Sequence, residues 1–472
     1  GEGISPAYLI GSIRSLYPKL EIEGGAGVRP HKNSINNYCY PENPEAGINL
    51  FLEKLVQETE KEHEDILKQA DETDAMFGEL YSWYLRNPEY RSRVQKLVQS
   101  AFAGKPEDII SQSVAKALYG EVSPYSATRL ERFAACAFAH FLQYGMKLTE
   151  RVEYEFKPMD MGNVMHEALE SFAEEVRKRG MKWTELTEQE RNEIADRCLD
   201  NIVADYGNTV LKSSARNEYM IERTRRILRR TVWALQKQLE QGEFQPEGFE
   251  VTFGGGRIDR VDIMEDQNKV YVKVIDYKTG NTSFDLVYLY HGLQLQLMIY
   301  LDGALRVEQK KYPDKEIIPA GVFYYNIKDP MIQEKIDADV EAVSAGLMKE
   351  LKMNGLVQAD PELVYRMDSS LGSIPVAFNK DGSFRKNSSV ADRTQFAVLG
   401  RYVRTKIEKI RSSILEGDAE VSPYELGKKN ACTYCPYMTV CGFDRRLSGY
   451  EFRRLKNFSD EELWKAFDRE AE

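Results

Sequence analysis

The chain has no apolar run long enough to cross a membrane, no Gly-x4-Gly-Lys-Ser/Thr loop, no internal repeat and no low-complexity stretch. The first absence argues against a membrane-spanning helix, which needs about 18 or more consecutive apolar residues. The second excludes ATP hydrolysis through a P-loop of its own. Net positive charge is also missing. The 64 basic residues against 75 acidic ones give −11, the wrong sign for a protein that holds nucleic acid by overall charge. Cysteine is scarce, with six in 472 residues. With no signal-peptide pattern on a chain this long, a disulfide framework is not expected. What remains is a 42% hydrophobic composition able to bury real cores. We expect two or three domains in a soluble cytoplasmic protein. The start at Gly1 rather than Met is expected of a piece excised from a longer protein, with a residue left by cloning.

Charge appears where a purely structural protein would avoid it. Gly256-Arg257-Ile258-Asp259-Arg260-Val261-Asp262-Ile263 and Val270-Tyr271-Val272-Lys273-Val274-Ile275-Asp276-Tyr277-Lys278 read as two strands joined by the polar turn Glu265-Asp266-Gln267-Asn268. Side chains alternate along a strand. Counting by twos puts Asp259 with Val261 and Ile263, and Asp276 and Lys278 with Val270, Val272 and Val274. Two carboxylates and an ammonium thus project from apolar faces, which is costly unless they are paired or hold a metal. An ion pair that closes a hairpin is one reading; a bound divalent cation is the other. Asp262, on the opposite face, is expected to pair with an Arg.

Two helical segments flank this hairpin. Gly162-Asn163-Val164-Met165-His166 opens a stretch with Met165, Ala168, Leu169, Phe172 and Val176 at helical spacing, ended by Lys178, Arg179 and Gly180. His166 falls beside the apolar stripe. Downstream, Gly292 to Tyr300 places Gln296 and Tyr300 at i and i+4 on one helical face.

The cysteines are Cys39, Cys136, Cys198, Cys432, Cys435 and Cys441. Cys432-x2-Cys435-x5-Cys441 brings thiolates together on a tight loop, as a metal or cluster needs. Cys136 is the best fourth ligand. It is expected on a helix from Ser126 that carries Leu130, Phe133, Ala134, Ala137, Phe138, Phe141 and Leu142 on one face, with Cys136 beside that stripe. Four thiolates suit zinc and an iron–sulfur cluster equally. Cys39 and Cys198 are expected to be free buried thiols.

Taken in order, Gly-Asn-x-x-His166, Gly-Arg-Ile-Asp259, Ile-Asp276-Tyr-Lys278 and Gln296-x-x-x-Tyr300 resemble the motifs of the RecB-like exonucleases. One cysteine before these motifs and Cys-x2-Cys-x5-Cys after them resembles the AddB-type members of that family, over about residues 121–446. The resemblance implies an α/β fold with a restriction-endonuclease-like mixed central sheet flanked by helices, of PD-(D/E)XK type. It implies Mg²⁺ held by His166, Asp259, Asp276 and the backbone carbonyl of Tyr277. Lys278 would act on the scissile phosphate, while Gln296 and Tyr300 position the DNA and the lysine. Cys136, Cys432, Cys435 and Cys441 would hold a 4Fe-4S cluster that staples a loop of roughly 300 residues, an entropic gain of about 5 kcal/mol at most. The implied activity is exonucleolytic hydrolysis of single-stranded DNA emerging from an unwound duplex, with an AddA-type helicase-nuclease partner, in double-strand-break repair by recombination. The competing reading is a nuclease-inactive DNA-binding scaffold stabilised by the four-cysteine site. The CRISPR-adaptation nucleases share the cysteine layout but are far shorter.

The remaining segments say less. Residues 1–120 are mostly helical in pattern, and Ser5 to Pro18 resembles the end of a helicase-like region. Two basic stretches, Arg216 to Arg230 and Arg401 to Arg411, could follow phosphates or face solvent. A hairpin is expected over Ile374 to Gly382, a long helix over Ser389 to Leu415, and a helical tail over 447–472 that docks weakly or contacts a partner.

Overall fold

The structure is a computed structural model that describes residues 15–16, 43–59, 72–101, 109–120, 126–149, 158–205, 214–254, 256–332, 340–447 and 449–471. It divides into two compact units, residues 1–104 and 105–472. The first holds α1 (Pro44–Thr59), α2 (Glu72–Arg86) and α3 (Pro88–Ala101). Ile48, Phe51, Leu55, Tyr84 and Val94 form its core. The helical expectation holds there, although Ser5 to Leu9 and nearly all of the segment after it lie outside the described residues.

The second unit begins with α4 (Gln112–Tyr119) and α5 (Ala127–Ala135), each capped by a serine hydroxyl, Ser111 and Ser126. The helix expected to run on past Cys136 breaks there. Cys136 is extended, at φ −165° and ψ 117°, before α6 (Ala137–His140) and a π turn over Phe141–Gly145. The periodicity of the apolar residues spans the break and hides it. Three long helices follow: α7 (Pro158–Lys178), α8 (Glu188–Asp205) and α9 (Ala215–Glu240). α7 starts four residues before Gly162 and ends as expected, with Gly180 left-handed at φ +67°.

A six-stranded mixed sheet comes next, in the order β1 (Gln245–Phe253), β2 (Gly256–Asp266), β3 (Lys269–Lys278), β4 (Glu316–Asn326), β5 (Asn354–Gln358) and β6 (Val390–Ala391). The first three strands form an antiparallel meander. β3 and β4 are parallel, and the crossover between them carries α10 (Leu286–Tyr290) and α11 (Gln296–Lys311). β3 and β4 are covered on both faces, which explains their nearly continuous apolar sequence.

After α12 (Val340–Glu350) and α13 (Pro361–Met367) comes α14 (Arg393–Glu416). One core lies under α4, α5, α11 and α14 and receives Val261, Ile263, Val270, Val272, Val274 and Val322. The other lies under α7, α8 and α9 and receives Met264, Tyr271, Ile275, Tyr277, Phe323 and Tyr325. These faces match the strand alternation. α14 starts at Arg393 rather than Ser389 because Val390 and Ala391 pair with β5 and Asp392 makes a capping box with Gln395. The expected hairpin near Ile374 reduces to a single bridge between Phe378 and Phe384. A small sheet, β7 (Tyr424–Leu426) between β8 (Lys429–Asn430) and β9 (Arg453–Arg454), frames the C-terminal cysteines. The tail is not weakly docked. Its helix, Asp460–Ala471, buries Leu463, Ala466 and Phe467, with Phe467 packed on Tyr290 and Tyr402.

Candidate active site and four-cysteine site

Besides the bulges between Pro246 and Gly248 and between Val272 and Lys273, the sheet alternation fails at one further place. Val251 and its partner Ile258 pack into the core under α11, while Phe249 and its partner Arg260 face the opposite core. Residues two apart should share a face, so both strands slip between these pairs, at Glu250 and Asp259. Glu250 takes a left-handed φ of +49°, a backbone strain that persists only where surroundings impose it. The slip corrects the expected face of Asp259. It does not stay with Val261 but accepts a hydrogen bond from the Tyr277 backbone N–H at 2.7 Å and lies 3.4 Å from Nδ1 of His166 on α7.

Register then lines up three carboxylates. Glu250 sits across from Asp259, between the pairs Phe249–Arg260 and Val251–Ile258. Asp259 sits across from Asp276, one step beyond the pair Arg260–Ile275. Like charges directly opposite on neighbouring strands repel. Burial and then the charge of Asp259 push the carboxyls of both Glu250 and Asp276 up to about 7. A buried oxygen of each lies against a cation, Arg257 for Glu250 and Lys278 for Asp276. Burial lowers the His166 imidazole, but its bond to Asp259 outweighs this and raises it. The ligand atoms of His166, Glu250 and Asp259 all lie within 4.8 Å of one another. This donor set of two carboxylates and an imidazole fits a hard divalent cation.

The reactive lysine is held from the other layer. Gln296, in the first turn of α11, donates to Oδ1 of Asp276 at 3.0 Å and accepts from Nζ of Lys278 at 2.9 Å. Its amide also donates to the Tyr300 hydroxyl at 2.9 Å. The i, i+4 pair and the Asp-x-Lys pair thus meet as one network. The structure brings together His166, Asp259, Asp276, Lys278, Gln296 and Tyr300. Of Tyr277 it brings the backbone N–H to Asp259.

Two acidic residues escape a reading of the sequence. Glu250 is hidden because its strand lacks regular alternation. Glu131, on α5, looks like an exposed helix position between Arg129 and Arg132. Instead it is half-buried, and burial pushes its carboxyl up to about 7. Its Oε1 accepts from the backbone N–H groups of Leu295 and Gln296 at 2.7 and 2.9 Å.

Cys136, Cys432, Cys435 and Cys441 line one pocket, together with Phe138 and Tyr437. All four are free of disulfides, as is the buried Cys198; Cys39 lies outside the described residues. The extended backbone at Cys136 sets its side chain against the C-terminal loop. Asn430 Oδ1 accepts from the N–H groups of Cys432 and Thr433 at 2.9 and 3.0 Å and shapes that loop. Burial, then the three neighbouring thiols, pushes the Cys432 thiol up to about 12.

Several residues of the basic stretches form ion pairs within the chain. Arg225 and Arg229 pair with Asp196 on α8, and Arg226 pairs with Asp329. Arg404 pairs with Asp302 and Lys409 with Glu470.

A family model described as the PD-(D/E)XK nuclease superfamily matches residues 124–442. The chain belongs to that superfamily. The six-stranded mixed sheet with helices on both faces is the fold this membership requires. The resemblance to AddB-type proteins also holds along the whole chain. It is 38% identical to the B subunit of the ATP-dependent helicase/deoxyribonuclease of Lachnoclostridium phytofermentans, covering all of this chain and 41% of that protein. Proteins of the same name from Thermoanaerobacter sp. and Alkaliphilus metalliredigens are 31% and 33% identical, again over all of this chain and 42% of theirs. The chain thus spans about two fifths of the length of these relatives, and the nuclease superfamily match occupies most of it. No helix among the described residues is long and apolar enough to cross a membrane.

Proposed function

We propose that this chain is a Mg²⁺-dependent exodeoxyribonuclease acting on single-stranded DNA, the nuclease portion of an AddAB-type helicase-nuclease in double-strand-break repair by recombination. The observation that carries it is the row Glu250, Asp259, Asp276 beside His166 and Lys278. Three carboxylates face one another on adjacent strands, two of them with carboxyls pushed upward, and have the donors a divalent cation takes. His166 and Asp259 would hold the ion, with Glu250 beside them and Asp276 and the Tyr277 carbonyl completing the set. When bound, Mg²⁺ polarises a phosphate oxygen and lowers the pKa of a coordinated water. The chain's own residues do the rest. Lys278, held by Gln296 and Asp276, offers an ammonium to charge developing on the phosphate. Gln296 and Tyr300 fix that ammonium in place.

The names of the relatives support a DNA substrate and a helicase partner, for which an AddA-type protein is our reading. For the four cysteines we propose a 4Fe-4S cluster in place of zinc. What supports it is that Cys136 and the Cys432-x2-Cys435-x5-Cys441 loop line one pocket, with the cysteine layout of the AddB-type resemblance. Iron and sulfide analysis of the purified chain tests this assignment. The nuclease is tested by Mg²⁺-dependent degradation of labelled single-stranded DNA, with Lys278→Ala as control. Cleavage by the wild type alone supports the reading; equal cleavage by the mutant overturns the site. Binding without cleavage, with the helicase partner present, would favour the inactive scaffold.

A further inference from the structure

α11 begins with a gap that its own sequence does not fill. The residue at its N-cap is Leu295, whose side chain makes no capping hydrogen bond. The first N–H groups of a helix have no partner within it and need an acceptor. Here the acceptor comes from a different helix. Oε1 of Glu131, on α5, takes the N–H groups of both Leu295 and Gln296. A carboxylate at a helix N-terminus also meets the positive end of the helix dipole.

The position of this cap matters because of what it holds. Gln296 is the residue that bridges Asp276 and Lys278. Its side chain can do so only while the first turn of α11 is fixed. α5 is pinned in turn at its far end, where Cys136 closes the helix by donating its N–H to Arg132 and then joins the four-cysteine pocket. The Ala134 carbonyl accepts from Arg453 of β9. The loop before α11 lies directly on α5. A Cβ at Gly292, left-handed at φ +77°, would stand 3.2 Å from Cβ of Ala134. One nine-residue helix thus touches the cysteine site at one end and caps the lysine-holding helix near its middle.

We propose that Glu131 is a positioning residue: it fixes the first turn of α11, keeps Gln296 between Asp276 and Lys278, and through α5 couples the four-cysteine site to the nuclease centre. The activity readout rests on the function proposed above, so a second readout stands apart from it. Glu131→Ala and Glu131→Gln are compared in the full chain with Gln296→Ala and the double variant Glu131→Ala/Gln296→Ala. Glu131→Ala should lower kcat on single-stranded DNA by about 30-fold or more with KM within about threefold, the pattern of an interaction needed in the transition state. Glu131→Gln keeps an oxygen acceptor and should recover most of that loss. On the Gln296→Ala background, Glu131→Ala should cost less than about threefold, since residues acting through one another are not additive. Wild-type kcat in Glu131→Ala, or full additivity in the double variant, overturns the proposal.

The second readout is amide hydrogen exchange in the peptide spanning Leu293 to Tyr300. Exchange should rise in Glu131→Ala, stay near wild type in Glu131→Gln, and rise in Cys432→Ser. Unchanged exchange in Glu131→Ala overturns the capping role, and unchanged exchange in Cys432→Ser overturns the coupling. If the wild type cleaves no DNA, the function proposed above fails, and exchange alone still decides the role of Glu131.

Discussion

Two charged clusters sit on the same two strands, one residue out of phase. On one face Arg260, Asp262 and Lys273 form a closed set. Arg260 gives Asp262 two hydrogen bonds of 2.6 and 2.9 Å, and Lys273 adds a third contact at 2.9 Å. Arg260 also lies over the rings of Trp183 and Phe249. The cations hold the Asp262 carboxyl below its usual range although burial pushes it upward. At the neighbouring positions Glu250, Asp259 and Asp276 form an open set, facing one another with two carboxyls pushed upward. Both clusters are largely buried, so burial does not separate a structural site from a chemical one. The state of the carboxyls does: a set whose cations hold its carboxyl low holds the fold, and one whose carboxyls push one another up is placed for a ligand.

Substitutions on the two faces should separate activity from stability. Lys278→Ala removes the ammonium that Gln296 presents and should reduce cleavage by at least about 10²- to 10³-fold. Its thermal midpoint should stay close to wild type, because Lys278 is partly exposed. A large loss of stability in that variant would mean that the open set is structural after all. Asp262→Ala should do the reverse. It leaves two cations buried without their carboxylate, a cost of about 3–5 kcal/mol by denaturant titration. If Asp262→Ala folds as well as wild type yet loses activity, the assignment of the two faces is wrong.

The same contrast shows what is legible in the sequence. The closed face is readable because strand parity survives there: Asp262 falls opposite Asp259 by count, and its partners are Arg260 and Lys273. Asp276, Lys278, Gln296 and Tyr300 are readable for the same reason, since regular strand and helix periods place them. What the sequence hides lies where a period breaks or where none applies. Glu250 and Asp259 share a slip with a left-handed residue in it. Cys136 interrupts a helix whose apolar stripe continues across the break. Glu131 acts on a helix 164 residues away in the chain, which no local pattern encodes. The β6 pairing that delays α14 is likewise a tertiary contact overriding a helical sequence.

Glu250→Gln tests whether that hidden carboxylate belongs to the open set. The amide keeps the shape and removes a charge, so Mn²⁺ affinity by calorimetry or electron paramagnetic resonance should fall by about tenfold or more, as loss of a supporting carboxylate does. Affinity equal to wild type would return Glu250 to a plain ion pair with Arg257.

Asp259→Asn carries the smallest expected effect and the most diagnostic sign. Its carboxylate sits between Glu250 and Asp276, so replacing it relieves repulsion on both sides at once. An asparagine can still accept from the Tyr277 N–H, so the backbone contact survives. In chelator-treated protein the variant should therefore be more stable than wild type, by up to about 1 kcal/mol. With Mg²⁺ added, wild type should gain stability through binding and the variant should gain less. A residue that served only the fold would shift stability the other way, down in chelator and unchanged by Mg²⁺. The crossing of the two stability curves would mark Asp259 as placed for a cation at the expense of the bare chain.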